Sequence, residues 1–328
     1  MWPQKRRMEW GPPPGMRSTP EINATTRLCA VYGHPVKHSA SPAFQNAGME
    51  ALGLDWRYAA FDVRPEELGA AIAGAAAMRF AGLNLTVPHK LLALEMVDEL
   101  DESAWRWGAV NTIRFDGRGG PEEAWRPMRE CDPLGVAEVR SVGFNTDADA
   151  IARSIEEDLG LELAGSSALL LGAGGAGRAA ALKLASAGVA RLHLANRTMA
   201  KAEELASEIR AGNPGLECAA GFPGGGVDLV LNATSLGLKA GDGLPLDAGV
   251  FPLARARFAY DMIYRPSETP FLRAAKEAGL RTANGMGMLL HQGAAALEIW
   301  TGMEAPVEVM RGALRRHLYG EGQPTGGG

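Results

Sequence analysis

The stretch "SSALLLGAGGAGRAAALKLASAG" leaves a folding chain few options. Its apolar run at 168–171 is too short for a helix and ends on glycines. The small apolar residues that follow carry a helical pattern to about residue 187. A strand, a tight turn and a helix in direct succession are the start of an α/β sheet. In this G-x-G-x-x-G arrangement Gly172 permits the turn, Gly174 lets a backbone approach a pyrophosphate, and Gly177 lets the helix pack close to the strand. The free N–H groups of the helix start then face the phosphates. A merely glycine-rich turn is the competing reading, weakened by the strand before it and the helix after it.

The alternation extends in both directions. Apolar strand candidates follow at 191–195, 228–232 and 258–262. Upstream there is a second series: a strand at 29–32, a helix from Pro42, a strand at 56–63, a helix from Pro65, and a strand at 80–86. At 328 residues the chain is long for one core, which favours two domains with a cleft between them. Spacing of i, i+3, i+4 marks core stripes at Phe44, Ala47, Gly48, Ala51 and Leu52, at Leu91, Leu92, Met96, Val97 and Leu100, and at Ile151, Ile155 and Leu159. Leu289, Ala296 and Trp300 read as packing too. Residues 117–142, rich in glycine, proline and charge, read as a long excursion between these segments.

Several function classes are disfavoured. A net charge of -5 and a pI near 5.8 argue against a general polyanion binder, so no nucleic-acid partner is expected. Cys29, Cys131 and Cys218 are widely separated and odd in number, which suggests neither a disulfide framework nor a metal knuckle and fits a reducing cytoplasm. His34 and His38 straddle Pro35 and cannot share a helix face, so no metal is expected. Apolar runs such as "AAIAGAAAM" fall short of a membrane span, and the basic N-terminus lacks the apolar core of a secretory signal. Both termini, 1–27 and 319–328, read as disordered tails.

After the second strand of the later series, "ANRTMAKA" offers Arg197, Thr198 and Lys201 where an acid would grip the ribose hydroxyl of NAD. A guanidinium fork plus an ammonium suits a 2'-phosphate dianion, so the expected cofactor is NADP. The plainer alternative is a solvated basic helix start, which the helix dipole opposes.

Polar candidates in the earlier series converge on a substrate. In "HSASP", Ser41 reads as an N-cap with Pro42 at the first helical position, and Ser39 with Ser41 forms a neutral cradle for a carboxylate. In "NLTVPHK", Pro88 suits the first turn of a helix, which places Lys90 in that turn against the dipole. Asp147 of "NTD" falls at another helix start, where an acid is ordinary decoration; paired with Lys90 across the cleft, it would orient the ammonium for proton exchange. Asn111 of "GAVNT" has an amide able to meet hydroxyls, and Gln292 lies on a glycine-opened helix.

Together, "HSASP", "NLTVPHK", "GAVNT", "NTD", "GAGGAG", "NRT", "NATSLG", "YDMIYRPSETP" and "GMGMLLHQGA", in that order from about residue 28 to 318, resemble the shikimate dehydrogenase family. The resemblance implies NADP-linked, reversible reduction of 3-dehydroshikimate to shikimate, in the pathway to aromatic amino acids. It implies an N-terminal α/β substrate domain at 28–147, a Rossmann-type NADP domain at 148–286, and a helical segment at 287–318 returning to the first. Lys90 and Asp147 would be the catalytic pair. Ser39 and Ser41 would hold the carboxylate, with Thr86, Asn111, Tyr264 and Gln292 around the hydroxyls. The cofactor would meet Gly172, Gly174, Gly175, Ala176, Gly177, Asn196, Arg197, Thr198, Lys201, Asn232, Thr234, Met262, Gly285 and Met288.

The chain departs from the family pattern in the length of 117–142, in Ala148 where glycine is frequent, and in both tails. Three alternatives stay open at this point: a dehydrogenase that also takes quinate, a non-catalytic NADP- or shikimate-binding regulator, and another two-domain NADP enzyme. The expected partner is a small-molecule substrate, with no membrane, and a second copy of the chain is left open.

Overall fold

The computed structural model describes residues 22–239 and 241–320. Of the expected tails at 1–27 and 319–328, residues 1–21 and 321–328 lie outside the described residues, while the last helix runs on through Tyr319. From Asn23 the chain is already tied down, with the Thr25 and Thr26 hydroxyls donating to Asp55.

The first sheet contains β1 (Arg27–Gly33), β2 (Trp56–Asp62), β3 (Gly82–Leu85), β4 (Glu99–Leu100), β5 (Thr112–Arg118), β6 (Arg126–Pro127) and β7 (Glu138–Phe144), in the order β2-β1-β3-β5-β7-β4 with β6 beside β5. Strands β1, β2 and β3 are parallel, while β5 is antiparallel to β3 and to β7. The second sheet, β8 (Ser167–Leu171), β9 (Arg191–Ala195), β10 (Glu217–Ala220), β11 (Val227–Asn232), β12 (Ala256–Asp261) and β13 (Arg281–Asn284), is wholly parallel in the order β10-β9-β8-β11-β12-β13. Counted along the chain this is the 3-2-1-4-5-6 order of dinucleotide-binding sheets.

The helices are α1 (Ser41–Ala51), α2 (Leu68–Ala77), α3 (His89–Leu92), α4 (Glu102–Trp107), α5 (Asp147–Leu159), α6 (Gly175–Ser186), α7 (Met199–Gly212), α8 (Pro270–Glu277), α9 (Met286–Thr301) and α10 (Val307–Tyr319). Ile151, Ile155 and Leu159 of α5 join the core under the second sheet. Helices α9 and α10 fold back and bury Leu290, Leu297, Trp300, Met310 and Leu314 with Cys29, Phe44 and Tyr58 of the first. None of the described helices is long and apolar enough to cross a membrane.

Local expectations at two helix starts need correction. The segment after Pro88 is not a long amphipathic helix: α3 ends after one turn and a 3-10 turn follows, so burial falls on His89 and Ala93. Leu91, Leu92 and Met96 are exposed. With one turn there is little dipole for Lys90 to oppose, and Pro88 is the cap, not the first helical residue. In α1 the cap is Ala40, and the Ser39 hydroxyl accepts from the Ser41 N–H at 3.3 Å, so Ser41 is not the cap. The buried face of α1 also carries Gln45 and Met49, and Ala51 is exposed, while Leu52 packs against the core as expected. The excursion at 117–142 is closed at its base by sheet, where β5 and β7 continue their ladder through Gly117 and Arg118, and it carries the short strand β6. Arg118 and Arg140 both lie over the Trp125 ring there.

The two halves of the first domain meet at Gly82. A Cβ there would land inside the Trp300 indole and 2.6 Å from the Ile113 carbonyl oxygen, which the indole N–H needs as its acceptor. Gly82→Ala is therefore expected to destabilise the protein by about 1–3 kcal/mol, read as a drop in urea midpoint. An unchanged midpoint would show that this contact is slack.

Candidate active site

The carboxyl ends of both sheets face each other across a cavity of about 510 Å³. On the first wall, β1 runs into the loop bearing Ser39 and Ser41, and β3 runs into Thr86 and the turn bearing Lys90; all four residues line the cavity. Across from them α5 begins with Asp147. Lys90 Nζ donates to Asp147 Oδ2 at 2.7 Å, with the two side chains 31% and 15% exposed. A pair this shielded attracts more strongly than a surface pair and holds a fixed geometry.

Asp147 owes its place to Asn145, whose Oδ1 accepts from the N–H groups of Asp147 at 3.1 Å and Ala148 at 3.2 Å. Asn145 was passed over in the sequence, although an Asn two residues before a helix start is the Asx-turn signal. Asn111 lies behind the wall, not on it. It is 1% exposed, accepting from Thr146 N–H at 2.8 Å and donating to the Thr146 hydroxyl at 2.9 Å. That hydroxyl reaches the Gln292 carbonyl at 3.0 Å, so α5 and α9 are joined where Gln292 meets the cavity. Asn84, also missed, lines the floor and accepts from the Tyr58 hydroxyl at 2.7 Å.

On the second wall, Ala176, Thr234, Met262, Tyr264, Gly285 and Met288 line the cavity. Burial pushes the Tyr264 phenol above its ordinary value, with Arg265 opposing, so at neutral pH it keeps its proton and can donate. Asn232 does not reach the cavity. It is fully buried, accepts from the Thr234 N–H and hydroxyl, and donates to Asp261 Oδ1 at 3.0 Å. Its work is to shape the turn that presents Thr234. Burial raises the Asp261 carboxyl, against hydrogen bonds from Thr269, Ile263 and Asn232.

Beside this wall is the glycine turn. Gly172 adopts φ +105°, and a Cβ on Gly177 would strike the Gly172 carbonyl. At Gly174 and Gly175 a Cβ would meet nothing within 4 Å, which leaves an open cradle at the start of α6. Asn196 accepts from Ala173 N–H at 3.1 Å and donates to the Thr198 carbonyl at 2.9 Å, tying the turn to the segment with Arg197, Thr198 and Lys201. Those three are exposed, and neither cation has an ion-pair partner among the described residues. Open N–H groups beside two unpaired cations fit a dinucleotide with a 2'-phosphate. Among the described residues no cluster of three metal-ligating side chains forms.

Comparisons with known proteins place the chain among relatives of known activity. Residues 31–113 match the shikimate dehydrogenase substrate binding domain, 151–216 match shikimate / quinate 5-dehydrogenase, and 285–315 match the shikimate 5'-dehydrogenase C-terminal domain. The chain is 40% identical to the shikimate dehydrogenase (NADP(+)) of Methanopyrus kandleri over 90% of this chain and 98% of that protein. A solved shikimate dehydrogenase in complex with NADP+ superposes with a TM-score of 0.76 at 35% identity, covering 91% of this chain and 98% of that one. The Thermus thermophilus enzyme in complex with NADP(H) and shikimate gives 0.72 at 37% identity, covering 89% and 100%.

Proposed function

The chain belongs to the shikimate dehydrogenase family, and from that premise we propose how its own residues divide the work. The activity is NADP-dependent oxidoreduction of shikimate. The reading of the site rests on one observation: the shielded Lys90–Asp147 pair stands on a cavity whose opposite wall leads to the glycine turn.

In the biosynthetic direction the substrate is 3-dehydroshikimate. Ser39 and Ser41 hold its carboxylate with neutral hydroxyls, while Thr86, Tyr264 and Gln292 fix its ring hydroxyls. Asn111 supports them from behind. Lys90 faces the carbonyl oxygen and gives it a proton as negative charge develops there. Asp147 keeps the ammonium aimed and accepts from the neighbouring substrate hydroxyl. Gly172, Gly174, Gly175, Ala176 and Gly177 would seat the cofactor's pyrophosphate, with Asn196 holding the turn and Arg197, Thr198 and Lys201 at the 2'-phosphate. Thr234, Met262, Gly285 and Met288 would border its reactive half, with Asn232 holding Thr234 in place. When bound, NADPH supplies the hydride. Residues 28–147 with 287–318 form the substrate domain in this reading and 148–286 the NADP domain. Three buried free cysteines support a reducing cytoplasm as its setting.

Steady-state assay of NADPH formation tests the reading. Shikimate with NADP is expected to give a kcat/KM at least about tenfold above quinate with NADP or shikimate with NAD. Binding without turnover would favour a regulator, and equal use of quinate would favour the broader dehydrogenase.

A further inference from the structure

Strand β2 gives no residue to the cavity, yet its end touches both loops that carry the site. At Asp62, Oδ1 lies 2.6 Å from His34 Nδ1, and Oδ2 accepts from the Val36 N–H at 3.1 Å. His34 and Val36 open the loop that leads to Ser39 and Ser41. The next residue, Val63, donates from its N–H to the Gly33 carbonyl at 3.0 Å and accepts at its own carbonyl from His89 Nε2 at 2.8 Å. His89 immediately precedes Lys90. The ring of contacts closes where His34 N–H donates to the Val87 carbonyl at 3.1 Å.

The two histidines differ in kind. His34 is half-exposed against a half-exposed carboxylate, whereas His89 is wholly buried. To donate to a carbonyl, His89 Nε2 must carry the ring proton, which leaves Nδ1 as a bare acceptor, and Nδ1 has no partner among the described residues. A buried nitrogen left without a partner is unfavourable, so packing alone would have chosen an apolar side chain here. The ring is kept for the bond it makes, one residue from the lysine that exchanges the proton.

We propose that Asp62 and His89 are separate positioning residues: Asp62 sets the carboxylate-binding loop, and His89 sets the turn that aims Lys90. The inference rests on the roles given above to Ser39, Ser41 and Lys90. It assigns each brace a different kinetic signature, because one acts on binding and the other on a group used in the transition state.

The test is steady-state kinetics on Asp62→Ala, Asp62→Asn, His89→Phe and His89→Gln, with kcat expressed per NADPH-binding site so that a smaller folded fraction does not pass for slower chemistry. Asp62→Ala is expected to raise KM for shikimate about tenfold or more while kcat stays within about threefold, and His89→Phe to lower kcat about tenfold or more while KM stays within about threefold. Asp62→Asn and His89→Gln retain a hydrogen-bonding group and are expected to recover most of each loss, which a purely space-filling role would not produce. Should His89→Phe fail to melt cooperatively, His89→Leu takes its place, and a kcat within about threefold of wild type in it overturns the brace at His89. Wild-type constants in Asp62→Ala and His89→Phe, or equal effects on kcat and KM in both, overturn the proposal. Lys90→Ala and Ser41→Ala run alongside: full turnover in Lys90→Ala overturns the site reading and the braces together, whereas a slow Lys90→Ala with a wild-type His89→Phe overturns the brace alone.

Discussion

Lys90→Ala is expected to lower kcat by about 10² to 10⁴, the usual span for loss of a positioned acid, with both KM values within a few-fold of wild type. Lys90 is the lone ammonium among the described residues lining the cavity, so no second ammonium can take its place. Binding persists because Ser39, Ser41, Thr86 and Gln292 are untouched, and the glycine turn is on the opposite wall. The fold persists as well, since Asp147 keeps its place at the start of α5 through Asn145. Calorimetric binding of shikimate and NADP to the variant, beside its turnover, separates these effects. Turnover within threefold of wild type would remove Lys90 from the chemistry.

Arg197→Ala is expected to raise KM for NADP by roughly 10- to 100-fold, while KM for NAD stays near its wild-type value. A hydrogen bond to a charged group contributes about 1.5–3 kcal/mol, and about 1.4 kcal/mol corresponds to a factor of ten. Because Arg197 is exposed and lacks an ion-pair partner among the described residues, its loss should leave stability within about 0.5 kcal/mol. Lys201, one turn further on, keeps part of the attraction, and added salt should narrow the gap between wild type and variant. An unchanged NADP-over-NAD preference would move the 2'-phosphate elsewhere.

How much of this was readable beforehand depended on the range of the forces involved. The strand and helix alternation was readable because it is local: β9 spans 191–195 as the apolar run does, and Gly172 has the positive φ that its turn demanded. The Leu91, Leu92 and Met96 stripe misled because periodicity cannot show that the helix stops after one turn. β10 and β13 escaped notice because they are four residues each and only partly apolar. Asn111 and Asn232 looked like ligand contacts, since an amide in a motif gives no sign of whether it faces a cavity or a neighbouring backbone. The nearness of Lys90 and Asp147, 57 positions apart, came from chemical reasoning and resemblance, because no local pattern encodes a contact at that separation.

The core beneath the first sheet is made of segments from the two extremes of the chain: Cys29, Phe44 and Tyr58 on one side, Leu290, Trp300 and Leu314 on the other. Between them the second sheet is contiguous, from Ser167 to Asn284. A nascent polypeptide emerging from the ribosome therefore completes its middle before its beginning. The earliest strands wait with one greasy surface open to water until the last two helices arrive to seal it.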